Sequence, residues 1–494
     1  MSVKMHRLLN PSWLIVFLLL LCTPLSAQFI SIKSLPLATG SQFLTHPSQR
    51  MGMGGVSLTL SDQYRDPFVN PAKGILTQKT TVFTSPAYYN ITQGFGHAQT
   101  VPLGVLMHGR QWFAGGSMAV QQLSAPHYQP QPPTWLLDEA TRFSRDGSLT
   151  QYINNFYGSG YAGTMIPGTN IAVAAGFSGA SLNGMEGIDL LYRQAQDIDQ
   201  YGYVLDGRLG AYHQWEDGRS FELVGLLHNF KMTHNVTNIA NQTRPQIQPE
   251  EMVKNLDFSL TTGLHFGYVH PFRDGKKVGF IATGNWKSHP KIPNYELMNI
   301  PRDPGTSSAY NFGIGFSHDA DTSVFALEVI FEPIWSTTWA EAQEILTTES
   351  GQRIHPGDRT VVNDFIFDNY IGRIGIEEST WFGKLQVGVN AHWIRYSLTQ
   401  ENYIDETVRT QDESWVEWAP TWSLRIPLEH LDIIYNGQLQ FGTGQPGVGP
   451  LVWFDGNSNT ISAPSNDFVI APSSSLTLRR AKVMTHQLTL AFPL

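Results

Sequence analysis

A single cysteine, Cys22, serves the whole 494-residue chain. It falls within the first 27 residues, a stretch expected to be removed, so the mature chain carries no thiol. That excludes disulfides, thiolate catalysis and Cys-ligated zinc. Charge is scarce too: charged residues make up 15% of the chain, against about 25% in ordinary globular chains. The formal net charge is −9, so there is no basic excess for binding nucleic acid. After residue 27 no apolar run approaches the roughly 20 residues a spanning helix needs. Mean hydropathy is only −0.18, which does not suit a helical membrane protein.

The apolar residues are therefore dispersed, and the 45 glycines and 12% aromatics suit a chain in which apolar and polar side chains alternate. The first 27 residues read as a signal peptide. Lys4, His6 and Arg7 form the basic start, residues 13–21 are a short apolar core, and residues 24–27 offer a small-residue cleavage site before Gln28. Leu21 precedes Cys22 where lipid attachment needs a small residue. Loss of Lys4 and Arg7, with no acid beside them, moves the formal charge from −9 to −11.

From Thr80 onward, segments of about ten residues alternate apolar and polar side chains, the signature of transmembrane β-strands. Phe258, Leu260, Thr262, Leu264, Phe266 and Tyr268 share one face, opposite Ser259, Thr261, Gly263, His265 and Gly267. Tyr310, Phe312, Ile314 and Phe316 oppose Asn311, Gly313, Gly315 and Ser317. Leu385, Val387, Val389, Ala391 and Trp393 oppose Gln386, Gly388, Asn390 and His392. A strict period of two cannot lie along one face of a helix. A barrel in lipid turns the apolar set outward and lines its lumen with the small polar set.

The connections point the same way. Tight turns at 108–111, 167–170, 216–219, 273–276, 319–322, 378–381 and 427–430 alternate with long loops. The loops run near 124–151, 179–200, 231–256, 287–307, 334–365, 397–414 and 442–474. Short turns on one side and long loops on the other are the asymmetry of outer-membrane barrels. The segments number about fourteen to sixteen. The fold class is thus all-β, a transmembrane antiparallel barrel over residues 79–494, preceded by an N-terminal hatch segment over residues 28–78. Trp112, Phe113, Trp215, Trp286, Trp335, Trp381, Phe382, Trp415, Trp418 and Trp422 cluster near strand ends, where interfacial girdles belong. The alternation of Leu488, Leu490, Phe492 and Leu494 resembles the terminal signal read by outer-membrane assembly machinery. Residues 338–346 and the set Ile188, Leu191, Tyr192, Ala195 and Ile198 follow helical spacing within the loops.

Ahead of the barrel, residues 50–74 are the densest run of backbone-specific residues. Gly52, Gly54 and Gly55 permit positive φ and close approach. Residues 57–60 alternate as a short strand does. Asn70 suits an N-cap, Pro71 the first helical position, Ala72 the turn and Gly74 a left-handed stop. Met53-Gly54-Gly55, then Ser61-Asp62 and Asn70-Pro71-Ala72, resemble the start of the FadL-like outer-membrane proteins. That group includes fatty-acid transporters, toluene-type channels and the PorV-type subunit of type IX secretion. Val56, Gln63 and Lys73 depart from its pattern of Met-Gly-Gly-Ala, an aspartate pair and Asn-Pro-Ala-Gly. The resemblance implies a fourteen-stranded barrel with an N-terminal hatch. It implies either uptake of small hydrophobic compounds or assistance to protein secretion, and a structural or adhesive barrel is a further alternative. The implied partners are outer-membrane lipids, the assembly machinery, a hydrophobic small-molecule ligand and secretion-system proteins.

No motif carries enzyme chemistry. The glycines of 51–55 lack the strand before and helix after that a phosphate loop needs. The sixteen histidines show no metal-ligand spacing, and no Gly-x-Ser-x-Gly elbow is present. No catalytic residue, metal or cofactor is expected. The charged residues on the small polar faces are Asp206, Arg208, Glu222, Glu328, Glu332, Arg373, Glu377, Glu417 and Arg425. A charge facing lipid at mid-depth costs about 2–4 kcal/mol, so these face the lumen. There they pair with one another, line a polar path, or hold the hatch through Arg50, Arg65, Asp62 or Asp66.

Overall fold

The computed structural model describes residues 30, 32–34, 36–92, 96–126, 150–186, 195–238, 251–289, 304–446 and 478–494. Residues 1–29, and with them the expected signal peptide, lie outside the described residues. So do parts of five of the long loops.

The alternating segments form one closed antiparallel sheet. The first strand, β1, runs in two pieces, Thr81–Thr84 and Ala87–Ile91. Both pieces pair with the same two neighbours, and Ser85-Pro86 interrupts the ladder because proline has no N–H to donate. Next come β2 (His97–His108), β3 (Trp112–Pro126), β4 (Thr150–Met165), β5 (Ile171–Leu182), β6 (Ala195–Gln214) and β7 (Ser220–Asn238). They are followed by β8 (Glu251–Pro271), β9 (Lys276–His289), β10 (Gly305–Asp319) and β11 (Ser323–Glu341). The last five are β12 (Arg359–Thr380), β13 (Gly383–Asn402), β14 (Thr407–Pro427), β15 (Asp432–Pro446) and β16 (Leu478–Pro493). Each pairs with the next, and β16 closes onto β1. Taking the two pieces of β1 as one, the strand number is sixteen, the upper end of the count from the connections and not the fourteen that the resemblance implied.

The seven expected tight turns all separate consecutive strands. The strands are longer than the sequence suggested, reaching 22 residues in β12. The loop expected at 397–414 shrinks to residues 403–406, because β13 and β14 pair as far as Asn402 and Thr407. The helices expected in loops are overturned where they are described. Residues 338–341 continue β11, Leu346–Thr347 pairs with Arg353–Ile354 in a small hairpin, and Ala195 and Ile198 belong to β6. In each case a neighbouring strand pairs with these residues: β12 with 338–341, Arg353–Ile354 with Leu346–Thr347, and β7 with Ala195 and Ile198. Ile188, Leu191 and Tyr192 lie outside the described residues.

The outward face is apolar: Leu264, Phe266, Phe312, Ile314, Val387 and Trp393 all point away from the interior and are exposed. Two aromatic bands bound this belt. Near the long connections, Trp286 meets Tyr310, Tyr310 meets Trp335, and Tyr370 meets Trp393, at 5.6–5.8 Å between rings. Near the tight turns, His213, Phe221 and Tyr268 surround Trp215, and Phe272 follows. From Tyr370 to Trp381 is eleven residues, which at about 3.3 Å per residue and a tilt near 45° covers roughly 25 Å, the height of a lipid-facing band. The other half of β12 therefore continues past the upper band. Phe113 and Trp415, expected in the girdles, instead face inward. Phe113 is fully buried against the interior, and Trp415 packs on a lumenal cluster.

Candidate functional site

The segment from residue 30 to 79 touches inward faces of strands all round the ring. Its side chains or backbone meet β1 through Tyr89, β4 through Ser159, β7 through Glu222, β11 through Glu328, β14 through Thr421 and β16 through Gln487. Only a segment inside the lumen reaches all of these. It is irregular: a 3₁₀ turn at Met51–Met53, one α-turn at Asp66–Val69 and a second 3₁₀ turn at Pro71–Leu76. Residues 57–60, expected as a strand, pair with no strand: residues 58–60 form bends, and the Ser57 and Leu58 N–H groups donate to Glu328.

The wall charges named from sequence meet this segment at successive points. Arg50 donates to Glu377 at 2.9 Å, and Lys384 and Gln386 hold the same carboxylate at 2.7 Å. Thr421 donates to the Gly52 carbonyl at 2.9 Å and accepts from the Gly54 N–H at 2.8 Å. Gly54 and Gly55 have φ of 73° and 74°, so the chain turns there through the left-handed region. Gly52 serves by closeness, since a Cβ would lie 2.3 Å from that of Ser423. Fully buried Glu328 accepts from the Ser57 and Leu58 N–H groups and pairs with Arg373, which also reaches the Gly55 carbonyl. Arg208, paired with Asp206 at 2.6 Å, donates to the Val69 carbonyl at 2.9 Å. Arg425 grips Asp432, which accepts from the Tyr64 hydroxyl at 3.2 Å. Glu417 binds Lys33 at 2.6 Å. Glu332 bonds to Asn369 at 3.2 Å and, among the described residues, to nothing in the interior segment.

The turn at 70–76 follows its local signals in part. Asn70 caps it by accepting from the Ala72 N–H at 3.1 Å, and Pro71 opens it. Gly74 is not the left-handed stop: it lies inside the turn, its lack of a side chain making room for Phe113 and Tyr161. The other side of Asn70 donates to Glu222 at 2.9 Å. Lys73 completes this cluster, 3.0 Å from Glu222 and 3.5 Å from Asp66. Burial pushes the Asp66 carboxyl up to about 6, against the pull of Lys73. Asp62 works within the segment, accepting from Ser48, the Gln49 N–H and the Tyr64 N–H. Sequence reasoning missed Thr421, Asp432, Gln386 and Lys73. Thr421 shares the parity of Glu417 and Arg425 on its own strand, and Gln386 belongs to the small polar face read for residues 385–393, whereas Asp432 lies on a strand where no charge was named.

Two cavities flank the segment. One, of about 690 Å³, is walled by Phe43, Phe68, Tyr157, Tyr161, Met185 and Phe230, with Asp206, Arg208 and Lys287 at its polar margin. Phe43 projects into it with 50% of its surface uncovered. His46 stands at the edge of the first cavity, stacked on Phe68 at 3.9 Å and bonded to Ser159 at 3.0 Å. Burial, reinforced by Arg65 and Arg208, holds it down at about 3, so it is neutral. The second cavity, of about 520 Å³, is polar and bounded by Arg50, Asp66, Lys73, Glu222, Arg373 and Thr421. Phe43, Leu44, Arg65 and Val69 line both.

No family model matches the chain, and no curated protein matches it. Among solved structures it is similar to a FadL homologue of Pseudomonas aeruginosa, at 12% identity and a TM-score of 0.42, with 92% of this chain and 100% of that one covered. It is similar to the FrpB iron transporter of Neisseria meningitidis (F3-3 variant) at 8% identity and a TM-score of 0.34, covering 85% and 83%. It is also similar to CdiB from Acinetobacter baumannii at 6% identity and a TM-score of 0.38, covering 84% of this chain and 60% of that one.

Proposed function

We propose that the chain is an outer-membrane barrel that takes up small hydrophobic compounds, with residues 28–78 serving as its hatch. The observation that carries this reading is the apolar-walled cavity of about 690 Å³ beside the interior segment. Its volume falls in the range of roughly 300–1,000 Å³ typical of small-molecule sites. A half-uncovered Phe43 inside a lumen gains about 1 kcal/mol when an apolar ligand covers it, roughly half of what burying the whole side chain gives. Transport then needs no chemistry, only binding at Phe43 and movement of the segment that separates the two cavities. The belt and girdles fit a lipid bilayer, and the tight turns face the periplasm by the general rule for such barrels.

The test is binding of the apolar fluorophore 1-N-phenylnaphthylamine to the purified protein in vesicles. One site per chain is expected, weakened about five-fold by Phe43→Gln. In cells, deleting the protein is expected to slow uptake of hydrophobic substrates. No probe binding together with unchanged uptake sinks the reading, and cargo proteins held in the periplasm would assign the barrel to secretion instead.

A further inference from the structure

The polar cavity of about 520 Å³ is bounded by charged groups, and most of them are already engaged. Glu222 accepts from Asn70 at 2.9 Å and pairs with Lys73 at 3.0 Å. Asp66 pairs with the same Lys73 and accepts from the Asp62 N–H at 3.1 Å. Asp62 accepts from the Ser48 hydroxyl and from the Gln49, Tyr64 and Arg65 N–H groups. Arg50 is held by Glu377, and Thr421 bonds to the backbone of Gly52 and Gly54.

Three polar groups on the same cavity lack partners. The Nε of Arg373 and the Oδ1 of Asn390 are buried and have no hydrogen-bond partner among the described residues. Arg373 on β12 and Asn390 on β13 stand directly opposite each other in the ladder. Residues so placed have Cβ atoms about 4.5–5.5 Å apart, so one small molecule can meet both. The third group belongs to Arg65, on the interior segment. This residue is exposed although it lies inside the lumen, and its guanidinium makes no hydrogen bond or ion pair among the described residues. The unmet groups are thus a buried donor beside a buried acceptor, with an uncommitted cationic fork on the same cavity. Buried polar groups are ordinarily paired, and a guanidinium fork matches a carboxylate with two parallel hydrogen bonds.

We infer that the polar cavity is a binding site for a small hydroxylated carboxylate, of the sugar-acid class. The carboxylate lies on the Arg65 guanidinium. One hydroxyl accepts from Arg373 Nε, and a neighbouring hydroxyl donates to Asn390 Oδ1. The carboxylates lining the cavity do not oppose this, because each is already neutralised or hydrogen-bonded by its own partners. A volume of about 520 Å³ lies within the roughly 300–1,000 Å³ of small-molecule sites. The inference concerns a different cavity and a different chemical class from the hydrophobic compounds proposed above, and does not rest on that reading.

The experiment is isothermal titration calorimetry of the purified full chain in detergent micelles with D-glucuronate, and with D-glucose as the neutral comparator. One glucuronate per chain is expected, with glucose at least about ten-fold weaker, because hydrogen bonds to a charged group are the stronger ones. Arg65→Gln removes an exposed side chain that holds nothing else, so the fold is not at risk. It is expected to weaken glucuronate about ten-fold or more and to leave glucose unchanged. Asn390→Asp keeps the side chain's size but gives Arg373 Nε an acceptor within the chain, and is expected to weaken both sugars. No glucuronate binding by the wild type means that the cavity holds water only, and overturns the inference. Equal affinities for glucuronate and glucose overturn the assignment of a carboxylate. Glucuronate affinity unchanged in either variant overturns the site.

Discussion

At the scale of single residues, the interior segment is held by side chains that each do two jobs. Glu328 accepts from two consecutive backbone N–H groups and balances Arg373. Replacing it by alanine leaves two donors and a guanidinium without their acceptor. Breaking a buried pair from one side costs about 3–5 kcal/mol. Glu328→Ala is therefore expected to loosen residues 55–58 first, read as faster nicking there by an added protease while the barrel still migrates as folded on a semi-native gel. Equal nicking rates would show that Glu328 does not hold the segment. His46 and Asp66 give a pH dependence of opposite signs. His46 titrates at about 3 in place against 6.5 when free, so the released segment binds more protons between those values and acidification favours release. Asp66 titrates at about 6 in place against 3.8 when free, so the docked segment binds more protons there and acidification favours docking. Going from pH 7 to pH 5, Asp66→Asn is expected to speed nicking of the segment and His46→Gln to slow it, with the wild type between them. The same direction in both variants would exclude these two groups as the cause.

At the scale of elements, the 51–55 turn meets the wall backbone to backbone at Gly375 and Gly388, and this is where glycine matters. A Cβ on Gly388 would lie 2.3 Å from the Gly54 nitrogen, whereas one on Gly372, on the neighbouring strand, would meet nothing within 4 Å. Backbone cannot yield as a side chain does. Gly388→Ala is expected to assemble as a barrel with the 51–55 turn pushed off the wall, and Gly372→Ala to behave as the wild type, both read by hydrogen exchange at residues 51–58. Full protection in Gly388→Ala would mean the turn tolerates the methyl. Such contacts explain what the sequence could and could not show. The strands from Phe258 and from Tyr310 were legible because a pleated sheet writes its two faces directly into a period of two. Their length was not: above the upper band nothing faces lipid, so residues 397–402 lose the alternation and read as loop. Trp415 misled for a related reason, since a tryptophan near a strand end suits a girdle or an inner cluster equally well. The Asn70 cap was readable because it is local, within two residues of its partner. Its bond to Glu222, 152 positions away, was not.

At the scale of the whole molecule, the segment and the wall are complementary in charge. Residues 28–79 carry Lys33, Arg50, Arg65, Lys73 and Lys79 against Asp62 and Asp66. Among the described residues the wall facing them carries Asp206, Glu222, Glu328, Glu332, Glu377, Glu417 and Asp432, with Glu186 at the Gly40 N–H, against Arg208, Lys287, Arg373, Lys384 and Arg425. The inward placement of charge followed from the cost of charge in lipid; the match between segment and wall emerges only when the ring is closed. It predicts what the barrel becomes without the segment. Sixteen strands enclose an aqueous channel when nothing fills them, and the wall would be left with more acids than bases among those named. A chain lacking residues 30–79 but keeping residues 1–29 is expected to make vesicles permeable to small sugars and to pass cations in preference to anions, measured by vesicle swelling and by reversal potential across a planar bilayer. The intact chain is expected to do neither. If the intact chain conducts as well as the shortened one, the segment does not seal the lumen. If the shortened chain conducts but prefers anions, the bases and not the acids dominate the field in the open channel, and the wall charge serves docking alone.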